Sequence, residues 1–264
     1  MPIVAITIVA GPRETRSGLA PDNERHIVNG LIGLGGTLTV LVSVGLVLGY
    51  TDRQRFSLRW LLVAALLVAL NDALLTRAYG LLPDLIGGSW NWQGKLLALG
   101  ATLVIASLPA FGWRPSGLAL AQEPGSLRAT LPVAGVYCGF FIVIALAFPG
   151  GPTDMETSIF QLTMPGIEEE LFYRGILLFA LSRAFRGRWR FLGVDWGWGA
   201  ALSCMLFGIA HAFGYSDGHF SFDGAAMTLT ALPAFLAVWL RLRTGSVLLP
   251  VLLHNFGNSF SLVA

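Results

Sequence analysis

The chain has 264 residues, of which 55% are hydrophobic and only 12% charged, with a formal net charge of +2 and a mean hydropathy of +0.68. A soluble domain carries roughly 25% charged residues, so this one lacks the polar surface to cover itself with water. A small, scattered positive balance gives no footprint for nucleic acid. No Gly-rich phosphate loop and no C-x-x-C spacing occurs, and Cys138 and Cys204 both lie in apolar runs, so neither suggests a disulfide framework.

In chain order, "MPIVAITIVA" is apolar but short and has no basic flank, a poor signal peptide. The polar stretch behind it makes residues 1–26 read as a tail. Eight apolar runs follow, at about 27–50, 60–79, 96–113, 129–149, 164–184, 197–213, 224–240 and 246–263. A helix needs roughly 20 residues to cross the hydrocarbon, so the shorter runs must extend into their flanks. Open sheet edges are not viable in lipid, and the runs lack the alternation of a barrel. The expected fold class is therefore all-α: a polytopic membrane protein of about eight transmembrane helices, with residues 27–264 forming one domain around a polar intramembrane cavity. Residues 80–95 are a candidate re-entrant segment.

Loop charges set an orientation. Arg53, Arg55, Arg59, Arg114, Arg128, Arg186, Arg188, Arg190, Arg241 and Arg243 fall on one side; Arg13, Arg16, Arg25 and Lys95 fall on the other. Cytoplasmic loops hold the Lys/Arg excess, so both termini and the 150–163 and 214–223 loops are expected outside the cytoplasm of a multi-pass cell-membrane protein.

The fifth run contains "PGIEEELFYRGILLFAL", four formal charges inside lipid-loving sequence. A charge at the centre of a spanning helix costs about 2.5–3.5 kcal/mol on insertion scales, so such groups face a bundle interior or a wet cavity and pair with one another. Glu170 and Arg174 are four apart, acid before base, the better order for a helical pair. On its own that pair has a purely structural reading. Glu169 has no cation three or four residues away, which suits a general base. Glu168 reads as a solvated flank. Later runs hold "FGIAH", with Phe207 and His211 one turn apart, and "HNFGN", with His254 and Asn258 on one face. Either histidine alone can be a satisfied packing residue. Two histidines, an asparagine, two glutamates and an arginine in three apolar runs are most economically explained by a shared site.

"EEELFYRG", "FGIAH" and "HNFGN" resemble the E-E-x-x-x-R, F-x-x-x-H and H-x-x-x-N motifs of the CAAX prenyl protease type II family, which includes bacteriocin-processing membrane proteins. The resemblance covers about 115–262 and implies a glutamate-dependent intramembrane endopeptidase. It implies that Glu169 activates water beside His211, that Glu170 and Arg174 form a supporting pair, and that His254 and Asn258 stabilise the oxyanion. Peptide hydrolysis needs those two services, a held and deprotonated water and donors aimed at the developing negative oxygen. No cofactor is implied. Zinc held by the same residues is a rival reading, since two histidines and a glutamate are one catalytic zinc set, although no H-E-x-x-H occurs. A transporter, which Asn71 and Asp72 would suit, and a non-enzymatic scaffold or immunity factor are readings of other classes. The expected partners are the bilayer and a peptide or protein substrate, such as a C-terminal tail or a leader peptide; oligomeric state is left open. Glu169 lies five residues, about 7–8 Å of rise, from the start of its run. The expected site therefore opens to the extracytoplasmic side, with "FGYSDGHFSF" as a lid or docking rim.

Overall fold

The computed structural model describes residues 20–147, 151 and 153–263. The first 19 residues of the expected tail lie outside that range. Helix α1 spans Ala20–Thr51, α2 Leu58–Leu75, α3 Trp92–Ser107, α4 Leu127–Ala147 and α5 Met155–Glu170. A π-helical stretch, Leu171–Leu177, joins α5 to α6 at Leu178–Ala184; α7 (Trp198–Ala212), α8 (Gly224–Thr244) and α9 (Leu248–Val263) complete the helices. Each of the eight apolar runs is thus helical. Among the described residues four helices are long and apolar enough to cross a membrane, namely Arg25–Thr51 within α1, α2, α4 and α8. Helices α3, α7 and α9, at 15 or 16 residues, fall short of the roughly 20 needed for an upright crossing.

An all-helical reading missed two short antiparallel hairpins. Strands β1 (Trp189–Phe191) and β2 (Val194–Trp196) pair with Phe191 opposite Val194, and β3 (Phe213–Ser216) and β4 (His219–Phe222) pair with Ser216 opposite His219. The second replaces the expected loop. Its turn residues Asp217 and Gly218 have φ of 51° and 84°, the left-handed pair that Asp-Gly supplies in tight hairpins.

The described residues pack as two compact units. One comprises Ile86–Ile176 and the chain from Ala237 onward. Within it α5 packs on α3 and α9, and α4 packs on α9. Asp154 opens α5 by accepting a hydrogen bond from the Thr157 N–H at 2.7 Å, the usual N-cap service to an orphan donor. Glu156 Oε1 accepts from the Ser89 and Trp90 N–H groups at 2.8 and 3.2 Å and from Trp92 Nε1 at 3.0 Å. Trp90 then stacks on Phe160 at 4.9 Å. The candidate re-entrant segment is thus, from Ser89 to Asn91, a non-helical turn that is pinned, with Trp92 at the head of α3, to the start of α5.

The other unit comprises the chain up to Leu85 and Leu177–Leu236. Here α2 packs on α1 and α6, and α7 packs on α6. Its core includes Leu41, Leu61, Ala64 and Leu181, each at most 1% exposed. The outer face of α1 keeps Val44, Val47 and Tyr50 exposed, the composition expected of a lipid-facing surface.

Candidate active site

In the first unit, Pro165 breaks the hydrogen-bond ladder of α5, since proline has no N–H to donate, and Gly166 follows. A Cβ at Gly166 would lie 2.4 Å from Asn255 Oδ1 and 2.8 Å from the Val251 carbonyl oxygen. Only a glycine allows α9 to come this close. The freed Gly166 N–H donates to Asn255 Oδ1 at 2.8 Å, a bond buried between the helices. This close approach holds the next turn, Glu168–Glu170, against α9. The π-helical stretch carries Arg174 round to the same acids; single π turns inside α-helices recur at functional positions.

Five ionic contacts then run through the unit. Lys95 Nζ on α3 donates to Glu168 Oε2 and to Glu169 Oε1, each at 2.6 Å. Glu169 Oε2 lies 3.8 Å from His254 Nε2 on α9. His254 Nδ1 is 2.7 Å from Glu170 Oε1, and Glu170 Oε2 is 3.1 Å from Arg174 Nε. With Glu170 ion-paired to Arg174, its other oxygen is the acceptor and Nδ1–H of His254 the donor in their bond. Three carboxylates thus face two permanent cations, Lys95 and Arg174, with the His254 imidazole set between Glu169 and Glu170.

Exposure divides the set. Glu168, Glu170 and Arg174 have side chains 0–2% exposed, whereas those of Glu169 and His254 are 16% and 17% exposed. The latter two keep some exposed surface, and the other three are fully buried against them.

Three expectations change. Glu169 is not without a partner: its cation comes from Lys95, 74 positions earlier, which spacing along one helix cannot reveal. Glu168 is not a solvated flank but fully buried beneath the same lysine. Lys95 itself, counted as a loop charge, sits buried in α3. The expected Glu170–Arg174 pair forms. The HNFGN motif has a further working member in Asn255, while Asn258 is half-buried on the same helix.

His211 belongs to the second unit, on the last turn of α7. Its Nδ1 is 2.7 Å from the Phe207 carbonyl oxygen, which can only accept, so Nδ1–H donates and the neutral ring keeps its lone pair on Nε2. The Phe207 ring lies 4.5 Å from the imidazole, centroid to centroid. The F-x-x-x-H spacing therefore has a direct physical meaning: the phenylalanine turn supplies both the carbonyl that selects the tautomer and the ring that packs it. Asn71 is buried on α2, and the neighbouring Asp72 accepts a short hydrogen bond from the Tyr79 hydroxyl. Among the described residues no group of three His, Cys, Asp or Glu side chains is arranged to hold a metal ion.

These features define a helical membrane protein with a largely buried acid–base cluster drawn from three helices. Residues 153–260 match the family model described as type II CAAX prenyl endopeptidase Rce1-like. That segment contains all three motifs, so the resemblance drawn from them holds, and the kind of protein it implies is a membrane endopeptidase with a peptide or protein substrate. No curated protein and no solved structure matches the chain.

Proposed function

We propose that the protein is an intramembrane endopeptidase in which Glu169 activates a water molecule for attack on a peptide bond. The carrying observation is the division of the ionic cluster within the Rce1-like segment: Glu169 and His254 are open, and Glu168, Glu170, Arg174 and Lys95 hold them from behind. The 3.8 Å between Glu169 Oε2 and His254 Nε2 is too long for a hydrogen bond. One water can bridge the two atoms from the side, with Glu169 as the base for its proton. Lys95 holds the other oxygen of Glu169 and so fixes the carboxylate plane. His254, steadied through Nδ1 by Glu170, presents Nε2, which in its protonated form donates to the tetrahedral oxygen; the Asn258 carboxamide is assigned the second donor. His211 is assigned a base role, which its Nε2 lone pair suits. This chemistry needs no metal, and active protein containing stoichiometric zinc would replace the proposal by the zinc reading.

The substrate is an exported or membrane-anchored protein reached from the extracytoplasmic face. The burial of Lys95 supports that orientation, since it removes a basic residue from the sparse side and leaves the asymmetry of the arginine-rich loops sharper. Comparative proteomics of membrane and secreted fractions tests the reaction. Cells carrying Glu169→Gln should accumulate the uncleaved substrate, and normal processing by that variant removes Glu169 as the base. Thiol labelling at Ser216 and Gly187, with Cys138 and Cys204 replaced, tests the orientation. An impermeant reagent should modify position 216 in intact cells, and modification of 187 instead inverts the topology.

A further inference from the structure

A second polar feature lies wholly in the other unit, at the end of α1. A cavity of about 180 Å³ is lined by Asp52, Arg55, Phe56, Phe185, Trp189 and Trp198, with Gly187 and Arg188 in its wall. At about 30 Å³ of liquid volume per water, that is space for about six waters, enough for a small polar headgroup and far too little for a folded partner. Arg188 is committed to the wall: Nη1 donates to the Gly187 carbonyl at 2.8 Å and Nη2 to the Ser182 carbonyl at 2.9 Å.

Asp52 and Arg55 are not so committed. Both press on Gly187, where an added Cβ would lie 3.1 Å from Asp52 Oδ2 and 4.0 Å from Arg55 Cδ. Yet the two side chains make no ion pair with each other, and neither makes a side-chain hydrogen bond among the described residues. An acid and a base that share a small cavity without pairing leave room for a molecule carrying both signs. The walls fit the cationic end. Trp189 and Trp198 meet edge to face at 5.4 Å, and Phe56 and Phe185 lie 5.4 Å apart. Such aromatic corners attract ammonium groups through the ring quadrupole.

Position supplies the source of the ligand. Leu48 of α1 also lines the cavity, on the turn that carries the exposed Val47 and Tyr50 of a helix long and apolar enough to cross a membrane. Trp and Tyr concentrate where membrane meets water, at headgroup level. Arg53, stacked 4.0 Å over the Tyr50 ring, and Arg186 add positive charge nearby.

We propose that this cavity binds the headgroup of a zwitterionic aminophospholipid. Arg55 takes the phosphate, and Asp52 with the Trp189–Trp198 corner takes the ammonium. The site is built wholly from residues of its own unit and does not depend on the proposed protease activity.

Native mass spectrometry of the full chain, delipidated in detergent and then titrated with defined lipids, tests it. Phosphatidylethanolamine should bind about tenfold more tightly than phosphatidylglycerol, the difference expected from one well-placed charge contact and an aromatic corner. Asp52→Asn should erase the preference by weakening phosphatidylethanolamine and sparing phosphatidylglycerol, whereas Arg55→Gln should weaken both. Helicity by circular dichroism should be unchanged in both variants, because both side chains lie at the surface turn after α1. Equal binding of the two lipids by wild type, or an unchanged preference in Asp52→Asn, overturns the proposal. Displacement of the lipid by glycerophosphoethanolamine at equal concentration overturns the assignment to a lipid in favour of a free phosphoamine.

Discussion

Helices α2 and α5 both carry acids in apolar surroundings, and they solve the problem differently. On α2, Asp72 is satisfied by a single hydroxyl, that of Tyr79, seven residues further on. The solution is local, neutral and closed. On α5, three successive glutamates find partners on a separate helix (Lys95), on a distant histidine (His254) and on their own π-helical turn (Arg174). One acid with a hydroxyl partner needs no function to explain it. A cluster assembled from three elements, with two members left open, is an arrangement that stability alone does not require, since buried ion pairs are often no better than well-packed apolar residues. The contrast also weakens the transport reading, which leaned on Asp72 as a further stop in a relay.

Arg174→Ala is the strongest way to break this contrast. It strands Glu170, 1% exposed, without the guanidinium that balances its charge. Breaking one partner of a buried pair costs about 3–5 kcal/mol. Folded yield should fall sharply and thermal unfolding in detergent, followed by exposure of the buried Cys204 thiol, should move well downward. A stable Arg174→Ala protein would mean that the cluster is less tightly coupled than its distances imply.

Lys95→Met should come next. It removes the cation shared by Glu168 and Glu169 while roughly keeping side-chain volume, at a cost of about 3 kcal/mol for two hydrogen bonds to charged groups, each taken at the low end of its range because Glu169 stays partly exposed. Glu168→Gln should recover part of that loss in the double variant, because an adjacent buried acid is then neutral. Additive losses would show that Lys95 and Glu168 do not act as a unit. On α2, by comparison, Tyr79→Phe should cost only about 1 kcal/mol, the typical net worth of one hydrogen bond, and should leave any proteolysis untouched.

How far the sequence could be read follows the same division. The Glu170–Arg174 pair and the Phe207–His211 turn were legible because a helix brings residues four apart together. All eight helical regions were legible because apolar runs in lipid leave no alternative. Lys95 was not, because its partners lie more than 70 positions away and a single lysine near the end of an apolar run looks like an interfacial anchor. Glu168 was misread for the same reason, its burial depending on α3 rather than on α5. The π-helical stretch leaves no pattern in "LFYRGIL" that a regular helix would not also allow. The β3–β4 hairpin did leave one, Asp217-Gly218 between aromatic pairs, and the strength of the membrane signal overrode it.

The smallest expected effect concerns Glu156, outside the apolar part of its helix, and it separates the pinned turn from the ionic cluster. The Ser89 N–H, with those of Trp90 and Trp92, holds this carboxyl below its ordinary value of 4.5. The Asp154 carboxyl is held low in the same way by the Thr157 N–H. A group whose pKa is depressed on folding contributes stability that is complete above its unfolded value and is lost as pH falls through the folded one. Acidifying from about pH 6 towards 3 should therefore release the Ser89–Trp92 turn, and the fluorescence of Trp90 and Trp92 should change as they leave Phe160. Other tryptophans respond to acid as well, so the informative quantity is the difference between wild type and Glu156→Gln. That variant keeps an oxygen acceptor but has no charge to lose, and the difference signal should appear only in the acid limb. A difference signal that instead grew above pH 6 would assign the turn's release to another group and leave Glu156 as a neutral hydrogen-bond acceptor.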